Sequence, residues 1–297
     1  MTALRGIHSR PAPPSSGQVA ALPETIQRLR GQGPVDASVI IPLNAQGDLD
    51  HVIALLCDLG RYDGQNRVEV IVVLNNYPDG EEPGQKSDLE GLGVLVIAIP
   101  SVRRKGYAVP LTARMAGVRA AGSSATIHLD ADCRVPYPGR LIDWYVASLR
   151  TNGAAYGPVQ FHSVPRTRTA EAAVTLHHLS RWAKRTLFRI PTTRGSSFAV
   201  NRDLMLDAWD KGQLADDLNV GPVIKATGAG VAYGSDARLT VRTSGRMYLF
   251  TWLGLVRYLR YRLRYNVRVL PVRRDAADHT GREQDPVRTY IDDHPIG

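Results

Sequence analysis

The chain has 297 residues, 43% of them hydrophobic, with 37 Lys and Arg against 28 Asp and Glu and a formal net charge of +9. That length allows one large domain or two small ones, and the apolar content is ordinary for a globular chain with a sizeable core. Cys57 and Cys133 give no disulfide framework and no zinc pattern and fit a reducing cytoplasm, and no apolar run approaches the ~18 residues needed to cross a bilayer. The positive surplus favours anionic partners, whether nucleic acid, an anionic membrane surface or phosphorylated substrates, without choosing among them.

Residues 1–35 read as a disordered or loosely packed N-terminal extension. Met1 to Gln18 is rich in Pro, Ser, Gly and Arg and lacks the apolar segment of a signal peptide. Ala37 to Pro42 reads as a short, β-branched, buried strand ended by proline. Leu49 to Leu59 has helical spacing, Val68 to Leu74 is a second strand, and Asn75 to Asp88 is a loop rich in Gly, Glu and Asp. Gly93 to Ile99 is a third strand, Ala108 to Ala121 contains a helix, and Ala125 to Leu129 is a fourth strand. Strands that alternate with helices and are near-continuous apolar runs imply a mostly parallel sheet covered on both faces. Ligands of such sheets bind beyond the carboxyl ends of the strands, which is where Asn44, Asn75, Asn76, Asp130 and Asp132 fall.

The second half is less regular. Leu141 to Arg150 reads as a helix, Ala154 to Phe161 as one strand, and Thr167 to Ile190 as a long basic helix. Ser197 to Val200 is a short strand and Arg202 to Trp209 a helix. Leu214 to Lys225 is a helix with Asp216 and Asp217 near its start, and Val231 to Tyr233 and Leu239 to Val241 are late strands. Arg246 to Val269 is aromatic, basic and helical. Its apolar stripe (Leu249, Trp252, Val256, Leu259, Leu263) lies beside an arginine stripe, the pattern of an interfacial helix or of an amphipathic helix packed on its own domain.

The richest motif is Asp130-Ala131-Asp132. Two carboxylates separated by one residue in an extended segment leave on the same side. They suit Mg²⁺ or Mn²⁺, which prefer oxygen ligands and share them with substrate phosphates. In isolation the motif reads as easily as a turn.

With its surroundings, the chain resembles a family 2 glycosyltransferase of the GT-A fold over residues 36 to 245. The resemblance rests on Val39-Ile-Ile-Pro-Leu-Asn44, on Val72-Val-Leu-Asn-Asn76, and on Arg103-Arg-Lys-Gly106 followed by Ala113-Arg-Met-Ala-Gly117. It continues through His128-Leu-Asp-Ala-Asp132, Gly195-Ser-Ser-Phe-Ala-Val-Asn-Arg202 and Asp216-Asp217-Leu218. The departures are Met115 for an asparagine, about four extra residues before Ala113, Asn75 where an acidic residue is common, and Asp216 for a glutamate.

The resemblance implies a single α/β domain with a mostly parallel central sheet flanked by helices. A Rossmann-like nucleotide-sugar half would span 36–136 and an acceptor half 137–245, followed by a basic helix at 246–272 and a polar tail at 273–297. It implies an inverting, metal-dependent transfer from a nucleotide-diphosphate sugar, first a UDP-sugar, to an acceptor hydroxyl. Asp217 is the implied general base and Asp216 its neighbour at the acceptor. Pro42, Leu43, Asn44, Asn75, Asn76, Arg104, Lys105, Arg114, Asp130, Ala131, Arg194 and Gly195 are the implied nucleotide-sugar contacts, and Asp132 with Asp130 the metal site. The acceptor is left open among a small molecule, a lipid carrier and a glycan. The expected location is cytoplasmic, with the inner membrane face open through the C-terminal helix.

Arg242 to Arg246 reads equally as a diphosphate contact or a plain turn. His128 alternates away from the aspartates towards the core, and His177-His178 read as surface or packing residues. His279 and His294 are candidate metal ligands only as tail residues. A sugar nucleotidyltransferase would carry cations after its first strand, but Leu43-Asn-Ala-Gln-Gly47 has none. A nucleic-acid-binding protein fits the charge, but no such module is present and the carboxylates would repel a phosphate backbone.

Overall fold

The computed structural model describes residues 11–78, 80, 81, 83–100 and 109–245, together with 252, 256, 259 and 260. The framework is a seven-stranded sheet in the order β3-β2-β1-β4-β7-β5-β8 among the described residues. The strands are β1 (Ala37–Asn44), β2 (Val68–Asn75), β3 (Leu95–Ala98), β4 (Ala125–His128), β5 (Ala154–Tyr156), β7 (Phe198–Asn201) and β8 (Val231–Tyr233). All pairings are parallel except those of β7, which runs antiparallel between β4 and β5. β6 (Val159–His162) and β9 (Val241–Ser244) form a separate parallel pair beside the site.

Strand alternation sends side chains to two cores. Val39, Ile41 and Leu43 face one core, shared with helices α3 (Leu49–Leu59) and α6 (Pro138–Leu149). Ile40, Ile71 and Val73 face the other, shared with α5 (Val109–Ala120), α8 (Arg202–Asp210) and α9 (Val220–Ala226). Burial on both faces is why these strands read as unbroken apolar runs. Gly117 lets α5 lie against the sheet, since a Cβ there would stand 2.5 Å from Ile40 Cγ2. At the opposite edge from the site, the buried Glu69 carboxylate accepts from Ser38 Oγ and from Gly122 N.

Several elements depart from the sequence pattern for local reasons. Residues of the expected loose extension form α1 (Ser16–Ala20), closed by a Ser15–Gln18 capping box, and α2 (Leu22–Arg30), which buries Leu22, Ile26 and Leu29. Those three carry a 3–4 spacing beneath a polar composition. The acidic loop holds a short helix, α4 (Gln85–Gly91). The strand expected over Ala154 to Phe161 is broken at Gly157-Pro158, where proline has no N–H to donate, and its halves enter different sheets. The strand expected at Leu239 to Val241 is a 3₁₀ turn at Ala237–Leu239, capped by Asp236, before β9 begins. α7 (Arg168–Thr186), opened by the Thr167 cap, stops short of Ile190.

Candidate active site

The site lies at the carboxyl ends of β1, β2 and β4. Asn44 and Asn75 are register partners there, and Asn76, held at φ 63°, turns its Nδ2 onto Asn44 Oδ1 at 3.0 Å. A left-handed asparagine is the usual way to end a strand abruptly with its amide facing the cleft. Leu43 and Ala131, both expected at the nucleotide, turn their side chains into the core, so only their backbones face the cleft side. Asn75 is likewise buried, and its carbonyl accepts from Ala45 N at 2.9 Å. Pro42 is half-buried on β1. Arg104 and Lys105 lie outside the described residues, as do His279 and His294.

Asp130 and Asp132 are not in an extended segment. β4 ends at His128, and the chain turns so that Cys133 N donates to Asp130 O at 3.0 Å. The turn, rather than strand alternation, brings the two carboxylates together. One oxygen of each and Cys133 Sγ lie within 4.8 Å of one another. Burial pushes the Cys133 thiol well up, and Sγ lies 3.1 Å from Ser196 O, so it stays a protonated donor. A hard cation would take the carboxylates.

The segment after the turn is tied down on two sides. Arg134 and Arg242 exchange backbone hydrogen bonds, and the Arg134 guanidinium grips buried Asp58 of α3 at 2.7 and 3.0 Å. Arg242 to Arg246 is therefore no plain turn over its described residues. It supplies β9, and Thr243 Oγ1 donates to Asp132 Oδ1 at 3.0 Å. His162 on β6 approaches Asp132 O at 3.4 Å through Nε2. Sequence spacing gave no sign of His162, whose place depends on the strand break at Pro158.

Arg114 is the centre of the arrangement. It sits on α5 with a side chain 0% exposed. Its Nη2 pairs with Asp130 Oδ1 and donates to Gly195 O at 2.7 Å, while Nε lies 3.2 Å from Asp217 Oδ1. A residue expected at the nucleotide thus joins the two acidic motifs instead. Its stem could reach them because Gly117, one turn on, holds α5 against β1. Burial, with Asp132 and Asp217 nearby, pushes Asp130 up to about 6, against the pull of Arg114 and Arg194. Three carboxylates thus face two guanidiniums, which leaves an excess of negative charge for a cation to offset.

Asp217 is buried, and it does not begin a helix. Residues 217–219 form a turn, and α9 starts only at Val220. Asn219 Oδ1 accepts from the Ala215 and Asp216 amides and Asp216 Oδ1 accepts from Leu218 N, so side-chain turn chemistry displaces the helix expected from Leu214. Thr193 Oγ1 donates to Asp217 O. Gly195 leaves room for the carboxylate: a Cβ there would stand 2.5 Å from Asp217 Oδ2 and 3.3 Å from Asp130 Oδ1. Arg194 is buried with its guanidinium 4.6 Å from the centre of the Phe161 ring. His128 is a core residue, stacked on Phe198 at 4.4 Å, and His177 packs edge-on to Phe161.

No family model and no curated protein matches the chain. Among solved structures, it is similar to the mannosyltransferase PcManGT from Pyrobaculum calidifontis, determined in complex with GDP-Man and Mn²⁺. The two share 17% identity over 84% of this chain and 70% of that one, with a TM-score of 0.52. GalNAc-T7, determined with UDP, GalNAc and Mn²⁺, matches at 15% identity over 88% of this chain and 55% of that one, with a TM-score of 0.48. The chain has the GT-A fold: a mostly parallel α/β sheet flanked by helices.

Proposed function

We propose that this chain is a metal-dependent, inverting glycosyltransferase that moves a sugar from a nucleotide-diphosphate sugar to an acceptor hydroxyl. The observation that carries the reading is Arg114, which joins the Asp130–Asp132 turn to Asp217 inside one cleft. The fold shared with PcManGT, a mannosyltransferase determined with GDP-Man and Mn²⁺, supports it. The nucleotide-sugar half is assigned to 36–136 and the acceptor half to 137–245.

Asp132, with Asp130 beside it, would hold Mn²⁺ or Mg²⁺. When bound, the metal offsets charge on the leaving diphosphate as a Lewis acid. Asn44 and Asn76 present amides to the base, and Asp130 faces the ribose or a metal-bound water. Asp217 accepts the proton of the acceptor hydroxyl as that oxygen attacks the anomeric carbon from the face opposite the leaving diphosphate. Arg114 fixes one Asp217 oxygen and Gly195 gives the other its place, so the carboxylate is positioned before the acceptor arrives. Asp216, half-buried beside it, faces the acceptor side. Cys57 and Cys133 are both buried and unbridged, which suits a cytoplasmic enzyme. Residues 246–272, expected as a basic amphipathic helix open to peripheral membrane contact or to packing on the domain, lie outside the described residues apart from 252, 256, 259 and 260. No helix among the described residues is long and apolar enough to cross a membrane.

A panel of sugar nucleotides screened by thermal shift, with Mn²⁺ and with a chelator, tests the donor. UDP-sugars come first, and GDP-Man, the donor seen with PcManGT, comes next. Stabilisation by one nucleotide sugar that chelation abolishes is the expected result, and no response to any of them overturns the reading. Once the donor is known, Asp132→Ala and Asp217→Asn abolish transfer while leaving the melting temperature close to that of the parent.

A further inference from the structure

We infer that the outward face of α7 docks on an anionic lipid bilayer. In most surface helices the apolar stripe faces the core and the cations face water. α7 buries Ala170, Ala173 and Val174 with His177 and Lys184 on its inner side, and carries a second apolar strip outward, where Leu179 is 56% and Trp182 47% exposed. The exposed side continues past the end of the helix through Leu187 and Phe188, 62% and 67% exposed. Leu176, Leu179 and Trp182 recur every three residues, so they form one strip.

The charged residues of this segment are almost all basic. From Arg166 to Arg202, Glu171 is the only carboxylate. Arg168 and Arg189 are exposed at either end of the strip. Arg185 is held by stacking on Tyr233, 3.9 Å from the ring centre. An apolar strip that includes a tryptophan and is bounded by arginines matches the boundary between head groups and acyl chains. The positive rim matches anionic head groups. The same helix belongs to the proposed acceptor half, and its His178 lies near both Arg194 and Arg181. Docking through α7 therefore brings that half to the lipid. This surface lies on α7 and stands independently of the transferase reading.

The test is co-sedimentation of the full chain with phosphatidylcholine vesicles, with and without phosphatidylglycerol. The chain is expected to pellet with the mixed vesicles and to be released by high salt. The double variant Leu179→Glu, Trp182→Glu is expected to bind at least roughly tenfold more weakly, with an unchanged circular dichroism spectrum because both side chains are exposed. Parent protein that stays in solution with anionic vesicles overturns the inference. So does a double variant that pellets like the parent, since binding then resides elsewhere. Vesicle binding without a thermal response to any sugar nucleotide upholds this surface and overturns the proposed transferase.

Discussion

Arg114 shows how a single buried side chain decides the character of a cleft. A guanidinium removed from water is stable only with partners that match its charge, and here they are Asp130 and Asp217 from distant parts of the chain. Arg114→Met is expected to lower stability by about 3 kcal/mol in urea unfolding, because it leaves buried Asp217 and half-buried Asp130 without their cation. Transfer should be lost with it. Gly195→Ala separates positioning from folding more finely. The added Cβ meets Asp217 Oδ2 at 2.5 Å and must displace it. Turnover is expected to fall on the order of a hundredfold, with KM for the donor little changed, as for an ångström-scale misplacement of a reacting group. Equal losses in kcat and donor affinity would place Gly195 at the nucleotide instead. At this scale the sequence marked residues that come together in the fold and said less about how they meet. Asp130, Asp132, Arg114, Gly195 and Asp217 were all legible from their motifs, and they meet in one cleft. That Arg114 bridges the acidic motifs was not legible, because an ion pair between distant segments leaves no local pattern.

Among the elements, α5 is constrained more tightly than its composition suggests. Gly117 lies against Ile40 and Val73, and Gly117→Val would push the helix off the sheet. The expected cost is about 1–3 kcal/mol from overpacking. Activity should drop further than stability accounts for, because Arg114 rides on the same helix. Comparing specific activity with the urea midpoint across Gly117→Ala and Gly117→Val checks this. α7 carries a different liability. Burial, with Arg194 and Arg181 close by, lowers His178 to about 4. Between about 4 and the ordinary histidine value near 6.5, the unfolded chain carries a proton that the native one lacks. Stability therefore falls as pH drops through that window and is insensitive to this group above it. His178→Gln should lose less stability than the parent between pH 7.5 and 5, and parallel losses would remove His178 as the cause. Regular elements of the first half could be placed from periodicity because each is a local pattern repeated over several residues. The break at Gly157-Pro158 and the turn at 217–219 depend on proline geometry and on Asn219, signals one residue wide.

For the molecule as a whole, the single antiparallel strand β7 explains why the two halves share one edge. Running against β4, it begins rather than ends at the cleft, so the Arg194-Gly195 loop arrives beside the ends of the parallel strands. The alternation of strands and helices made the parallel part legible, while the reversal at β7 was not, since four residues carry no sign of direction. The order of synthesis gives Arg114 a further meaning. The strands β1 to β4 pair with one another and all lie within residues 37–128, whereas β7 and Asp217 come later in the chain. Domains emerge from the ribosome N-terminus first, at about 5–20 residues per second. For several seconds the nascent chain therefore contains Arg114 and Asp130 but not yet Asp217. The last carboxylate to arrive is the one that completes the ion-pair network, so a product truncated before it leaves Arg114 with only part of its counter-charge.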